Sequence, residues 1–249
     1  MIRFILCVLA AVLMLVFSIP LLVLAWIIGK INPRTRDRYA LVLIRGALNV
    51  IIFLAGVKME VSGEENVPKD RPVLYIGNHR SIFDIILTYP RVPFPTGYIA
   101  KIQLKKIPLL HAWMKLSRCL FLDRKDLRQG AATIFEAIDL VKTGTASIFI
   151  YPEGTRNKNE NESDLLEFHE GSFKIAQRTG CPIIPVAMLG TADIFENHLP
   201  FIRKTHVRLE YGKPIDPTTF SRQEQKHLGE YTRNVMCKML ESRITEEQP

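Results

Sequence analysis

Cysteine is scarce in this chain of 249 residues, and what there is lies scattered. Cys7, Cys119, Cys181 and Cys237 form no C-x-x-C pair and sit mostly in apolar stretches. That layout excludes a disulfide framework and a structural zinc site, and it suits reduced thiols in a cytosol-facing protein. A G-x-S-x-G elbow, the turn that exposes a hydrolase serine, is also missing around Ser81. Acidic residues are in deficit, 25 against 33 Lys and Arg, which leaves a net charge of +8. Such a surplus favours anionic partners: nucleic acid, acidic lipid or an acidic protein. Neither a helix-turn-helix nor an aromatic-basic platform accompanies it, so nucleic acid is not an expected partner. There is no internal repeat, and the one low-complexity piece, "NKNENESD" at 157–164, reads as a mobile surface loop.

Charge is absent altogether from residues 4–29, a run longer than the roughly 20 residues that cross a bilayer as a helix. A cleaved signal peptide with Arg3 as its basic region fits less well, because its apolar core would span only about 7–15 residues. A second apolar stretch, 39–57, contains Arg45, which costs about 2.5–3.5 kcal/mol at the centre of a spanning helix. Two full crossings would also separate Lys30, Arg34, Arg36 and Arg38 from the main domain, against the tendency of basic loops to stay cytoplasmic. Two arrangements remain: a helical hairpin sunk in one leaflet with Arg45 snorkelling, or one span followed by an interfacial helix. Both keep the rest of the chain on the cytoplasmic face of the cell membrane.

After residue 57, β-rich apolar runs alternate with helical stretches. Strands are expected over 57–61, 72–77, 97–100, 119–122, 146–151, 183–188 and 206–211. Helices are expected over 82–89, 103–116, 127–142, 172–179 and 223–243. The pattern predicts an α/β fold, a mostly buried mixed sheet flanked by helices, with an anchoring hairpin in 1–57 and a catalytic domain in 58–249. Ligands in such sheets gather where strands end and helices begin.

Two loops qualify. "YIGNHRSIFD", residues 75–84, ends a strand and then presents His79 and Asp84. The H-x4-D spacing says little alone; its place at a strand mouth says more. With Ser81 capping the next helix, the carboxylate reaches one ring nitrogen and fixes the tautomer, and the other nitrogen faces out as a general base. The competing account is structural: a histidine closing a strand and an aspartate interacting with a helix dipole. His111, His169, His198, His206 and His227 show no ligand-type spacing beside the pair, so no metal is expected. "SIFIYPEGTR", residues 147–156, breaks at Pro152 and delivers Glu153, Gly154, Thr155 and Arg156, an anion-binding turn in composition. Lys101 and Arg124 follow two further strands, and a phosphate monoester of about −1.5 to −2 charges needs two or three such cations.

"NHRSIFD", "LFLDR", "YPEGTR" and "CPIIPV" together, in this order and spacing, resemble the four blocks of the glycerolipid acyltransferases, in particular the bacterial 1-acylglycerol-3-phosphate acyltransferases. The resemblance runs from about residue 61 to 214. It implies that His79 is the general base, Asp84 its orienting partner, residues 153–156 the acceptor block, and Lys101 and Arg124 phosphate-holding cations. Pro182 and Pro185 would shape the fourth block. It further implies acyl transfer from an acyl carrier protein or coenzyme A thioester to lysophosphatidic acid, no cofactor, and a two-helix anchor among membrane lipids. Glycerol 3-phosphate or another lysophospholipid as acceptor, or water in a lipid or thioester hydrolase, are the alternatives. The chain departs from the family at His169 and Glu170, where a basic pair is usual before "GSF", and at His111, where glycine is usual.

Overall fold

The computed structural model describes residues 1–245, so the expected catalytic domain is covered except for its last four residues, which lie outside the described residues. Seven strands form one sheet: β1 (Lys58–Ser62), β2 (Leu74–Gly77), β3 (Thr96–Lys101), β4 (Leu120–Leu122), β5 (Ser147–Ile150), β6 (Ile183–Leu189) and β7 (His206–Tyr211). Their order is β1-β7-β6-β2-β5-β3-β4. The five strands from β6 to β4 are mutually parallel. β7 runs antiparallel to β6, and β1 is parallel to β7, which makes the sheet mixed.

Every residue of β2, β5 and β6 is buried, as expected where helices cover both faces of parallel strands. On one face Leu74, Ile76, Ile148, Ile150 and Ile183 pack with three helices, α6 (Leu127–Lys142), α7 (Lys174–Thr179) and α8 (Leu228–Thr245). On the other, Tyr75, Phe149, Ile184 and Tyr98 pack with Leu41 of α3 (Pro33–Ala55) and with Tyr89 and Val92, which follow α4 (Phe83–Thr88). Each such aliphatic or aromatic side chain contributes about 1.5–3 kcal/mol by leaving water.

This two-faced cover creates the site. From β2 the chain leaves through α4 on one face and skips over β5 to reach β3; from β5 it leaves through α7 on the other face and skips over β2 to reach β6. Adjacent parallel strands whose connections part in this way open a crevice at their carboxyl ends. The loops after β2 and β5 are the two singled out by sequence.

Local chemistry moved several helix boundaries. The stretch 103–116 is a 3-10 turn, Ile102–Lys106, and then α5 (Pro108–Leu116), because Pro108 lacks the N–H that would continue the turn before it. The expected 223–243 helix likewise begins as 3-10 turn Glu224–His227 before α8.

The apolar run 4–29 is not one helix. It divides into α1 (Ile2–Phe17) and α2 (Ile19–Ile31), bent by 48°. Pro20 opens α2, and Ser18 at the bend donates to the Leu15 carbonyl (2.7 Å) while accepting the Trp113 indole N–H (2.7 Å). α3 starts six residues earlier than the second apolar stretch, capped by Asn32, whose side chain accepts from the Arg34 and Thr35 N–H groups. It is the one described helix that by itself has the length and apolarity to cross a membrane. Arg45, the charge inside the second apolar stretch, donates from its guanidinium to the Val92 carbonyl at 2.7 Å. Asp37, almost fully buried, accepts Arg36 and Arg118. Cys7, Ile51 and Ala55 share a core with Phe83, Leu87, Ile194 and Val207, so α1 and α3 are stitched to the sheet domain along their inner faces.

Candidate active site

His79 lies just beyond β2 with Nδ1 2.8 Å from Asp84 Oδ2. Asp84, in the first turn of α4, is fully buried, and the same oxygen accepts the Arg80 and Ser81 N–H groups, each at 2.8 Å. Three donors on one oxygen fix the carboxylate; the carboxylate fixes the ring. Because the Nδ1 side is occupied by Asp84, Nε2 is the nitrogen left to accept a proton. The opposite flank of the ring is stacked on Tyr151, centroids 4.4 Å apart. Gly77 makes this possible, since a Cβ there would lie 3.0 Å from the Tyr151 ring and 2.8 Å from Phe149. Ser81 is not the N-cap of α4, a place taken by Ile82 without a side-chain cap bond; one residue earlier, its hydroxyl accepts the Phe83 N–H at 3.0 Å in a local turn.

The second loop is bonded directly to the first. Glu153 accepts the His79 N–H at 2.8 Å through one oxygen and the Leu166 N–H at 3.0 Å through the other. The Asn157 N–H returns to the His79 carbonyl at 2.6 Å. Glu153 is therefore a buried strut between the loops, with neither oxygen turned to solvent. Burial pushes its carboxyl above the ordinary glutamate range, while the two N–H groups and the nearby His79 pull it back. Replacing it tests the strut: Glu153→Gln puts an amide N–H₂ against a backbone donor and should cost about 1–3 kcal/mol, measured as a lower unfolding midpoint. Gly154 turns with φ +69°, and a Cβ there would meet the His169 ring at 2.9 Å, so this position requires glycine. Thr155 and Arg156 are exposed. Arg156 donates to Glu196 at 2.7 Å.

The acyltransferase family model matches residues 58–189. The chain belongs to that family. It is 31% identical to the 1-acyl-sn-glycerol-3-phosphate acyltransferase of Borreliella burgdorferi over 82% of this chain and 80% of that one. To the enzyme of the same name from Escherichia coli it is 29% identical, over 74% and 73% of the two chains. Among solved structures it is similar to the 1-acyl-sn-glycerophosphate (LPA) acyltransferase PlsC of Thermotoga maritima, with a TM-score of 0.75, 27% identity and 97% of each chain covered.

In this acyltransferase the loops of His79, Asp84, Glu153, Gly154 and Asn157 are in contact, and Lys101 and Arg124 extend the row. Lys101 closes β3, which lies beside β5, and Arg124 is two residues past Leu122, its register partner on β4. Four consecutive parallel strands thus deliver candidate residues at one edge. Pro185 lies within β6 rather than in a loop. His169 backs Gly154, and Glu170 caps α8 by accepting the Gly229 and Glu230 N–H groups; His111 stands edge-on to Phe121.

Two groups had no sequence signal. Glu196 accepts the Ser81 hydroxyl at 2.5 Å, the Ile82 N–H at 2.9 Å and Arg156. It links the histidine loop to the arginine from more than a hundred residues away. Arg80, 7% exposed, donates to the Asn159 carbonyl at 2.7 Å and pairs with Glu162. The segment 157–164, expected as a mobile loop, is instead folded beside the site: Asn157 is buried, Asn157 and Asn159 both donate to the Asp164 carbonyl, and Glu162 accepts the Gly190 N–H.

Proposed function

We propose that the protein transfers a fatty acyl group from a thioester to the sn-2 hydroxyl of lysophosphatidic acid, forming phosphatidic acid, with His79 as general base and Asp84 as its orienting partner. The observation that carries this is the His79–Asp84 bond at 2.8 Å in a loop that Glu196 ties, through Ser81 and Ile82, to Arg156. Nε2 takes the hydroxyl proton as the oxygen attacks the thioester carbonyl; Asp84 stabilises the imidazolium; as the C–S bond breaks, the departing thiolate takes that proton and leaves with the carrier as a thiol, restoring the neutral ring. The reaction needs no covalent intermediate on the enzyme. A positioned base of this kind contributes about 10²- to 10⁴-fold.

Arg156 fits the acceptor phosphate. Its pairing with Glu196 leaves the guanidinium 42% exposed, and a pair so open to water is worth about 0–1 kcal/mol. A phosphate of about −1.5 to −2 charges competes easily with that. Lys101, Arg124 and Thr155 supply further cations and a hydroxyl at the same edge, and Glu153 and Gly154 shape the turn. Arg156→Ala should raise the acceptor KM about 10- to 100-fold, the loss of a charged hydrogen bond of about 1.5–3 kcal/mol, while the donor KM changes little. An unchanged acceptor KM in steady-state assays would remove Arg156 from the phosphate site.

The donor is an acyl carrier protein or coenzyme A thioester, both acidic and both suited to a chain of net charge +8. No cofactor enters the scheme. The anchor is residues 1–57, lying in one leaflet of the cell membrane with the domain on the cytoplasmic face. Support comes from α3, which packs one face on the domain through Leu41, Arg45, Ile51 and Ala55 and leaves Val42, Val50 and Phe53 exposed on the other. The outer faces of α1 and α2 remain broadly apolar and exposed.

The deciding assay gives the purified full chain a labelled acyl thioester with and without lysophosphatidic acid, alongside glycerol 3-phosphate and other lysophospholipids. Label in phosphatidic acid, dependent on lysophosphatidic acid, is the expected result. Free fatty acid without acceptor would make the protein a hydrolase, and preference for another acceptor would move the substrate assignment.

A further inference from the structure

Between β6 and β7 the chain crosses the catalytic edge through residues 190–205. Leu199 is 62% and Phe201 43% exposed, with exposed Pro200 between them and exposed Arg203 and Lys204 just after. A lone exposed apolar side chain is ordinary, but these adjoin a larger apolar surface. Phe195 stacks on Phe4 of α1, centroids 5.7 Å apart and rings 13° from parallel. Ile194 and Ile202, on either side of the segment, are buried in the core that holds Cys7 of α1. Leu199 and Phe201 therefore belong to a segment held through Phe195, Ile194 and Ile202 against a helix whose outer residues Ile2, Ile5 and Leu9 are all more than half exposed. The same short segment carries Glu196, bonded to Ser81, Ile82 and Arg156.

We propose that residues 199–204 are a second lipid contact: Leu199 and Phe201 enter the headgroup–acyl boundary of an anionic bilayer beside α1, and Arg203 and Lys204 meet its phosphates. The occupant is a membrane rather than a protein because the patch continues the apolar outer face of α1 and ends in two cations. This rests on the reading above, in which the acceptor is membrane-borne, and it adds a route. The segment that touches lipid is three residues from the carboxylate that holds Arg156, so an acceptor headgroup passes from the bilayer surface to the arginine without crossing water.

The test labels Leu199→Cys full-length protein with a polarity-sensitive fluorophore, using labelled parent protein to subtract the native thiols, and adds phosphatidylglycerol–phosphatidylcholine vesicles. Emission should shift to the blue and be quenched by nitroxide-bearing lipid. Cosedimentation without any emission change would overturn the second contact and leave the anchor standing; no cosedimentation at all would overturn both. The same shift on raising protein concentration without vesicles would assign the patch to a second copy of the chain and also overturn the proposal. In parallel, the Leu199→Glu, Phe201→Glu double variant should keep its turnover on a water-soluble short-chain lysophosphatidate and lose about tenfold on vesicle-borne lysophosphatidate. Equal losses on both substrates, or none on vesicles, would refute it.

Discussion

Purified His79→Ala protein should turn over about 10²- to 10⁴-fold more slowly than the parent, the range a positioned general base supplies, and should unfold at nearly the same midpoint. The two halves of that expectation have separate causes. The loss in rate follows from removing the ring nitrogen left free when Nδ1 engages Asp84. The retained fold follows from how the loop is held: Glu153 binds the His79 N–H, Asn157 binds its carbonyl, and Asp84 keeps the Arg80 and Ser81 N–H groups. None of these bonds uses the imidazole. Steady-state rates together with a thermal melt check both halves, and turnover within tenfold of the parent in folded protein would reassign the base.

All seven strands were legible because each is a short β-rich apolar run, and buried parallel strands leave little else to confuse with them. The helices were legible in place but not in detail, since Pro108 and Pro20 act through single missing N–H groups that a periodicity reading averages over. The site divides the same way. His79 and Asp84 are five residues apart, so their meeting is a local event that spacing could forecast. Lys101 and Arg124 could be placed at one edge because strand ends fall there in any parallel sheet. The bracing bonds of Glu153 could not be read from composition: a carboxylate in a polar turn looks like a ligand group, and only the tertiary contact at 2.8 Å shows that it also holds the backbone of the first loop. Glu196 was invisible for a simpler reason, as its partners Ser81 and Ile82 lie 115 and 114 residues away in sequence.

The strut and the link explain why this edge can hold a reactive pair at all. Connections that part toward opposite faces leave two loops that would otherwise move independently. Glu153 joins them beneath the histidine, Glu196 joins the far end of the first loop to the arginine of the second, and Arg80 with Glu162 secures the flank. His79 and Arg156 are thereby linked through Ser81, Ile82 and Glu196, and on the proposed reading the histidine loop is positioned before substrate arrives.

The second large effect should come from Asp84→Asn, and comparison with Asp84→Ala isolates its cause. An asparagine carbonyl can take the place of Oδ2 and keep the Arg80 and Ser81 N–H bonds, so Asp84→Asn should remain folded. What it removes is the charge opposite a ring that becomes imidazolium during transfer; the neutral carbonyl still accepts from Nδ1–H but no longer stabilises the charged ring. The expected fall in kcat is about two to four orders of magnitude, comparable to loss of the base itself. Asp84→Ala should lose as much activity and also strand two buried backbone donors, at about 1–3 kcal/mol each, visible as a much lower unfolding midpoint. Were Asp84→Asn to keep kcat within threefold of the parent while Asp84→Ala lost only stability, the carboxylate would be a loop-holding group alone. The proton would then have to leave the acceptor hydroxyl without the steered imidazole on which the mechanism depends.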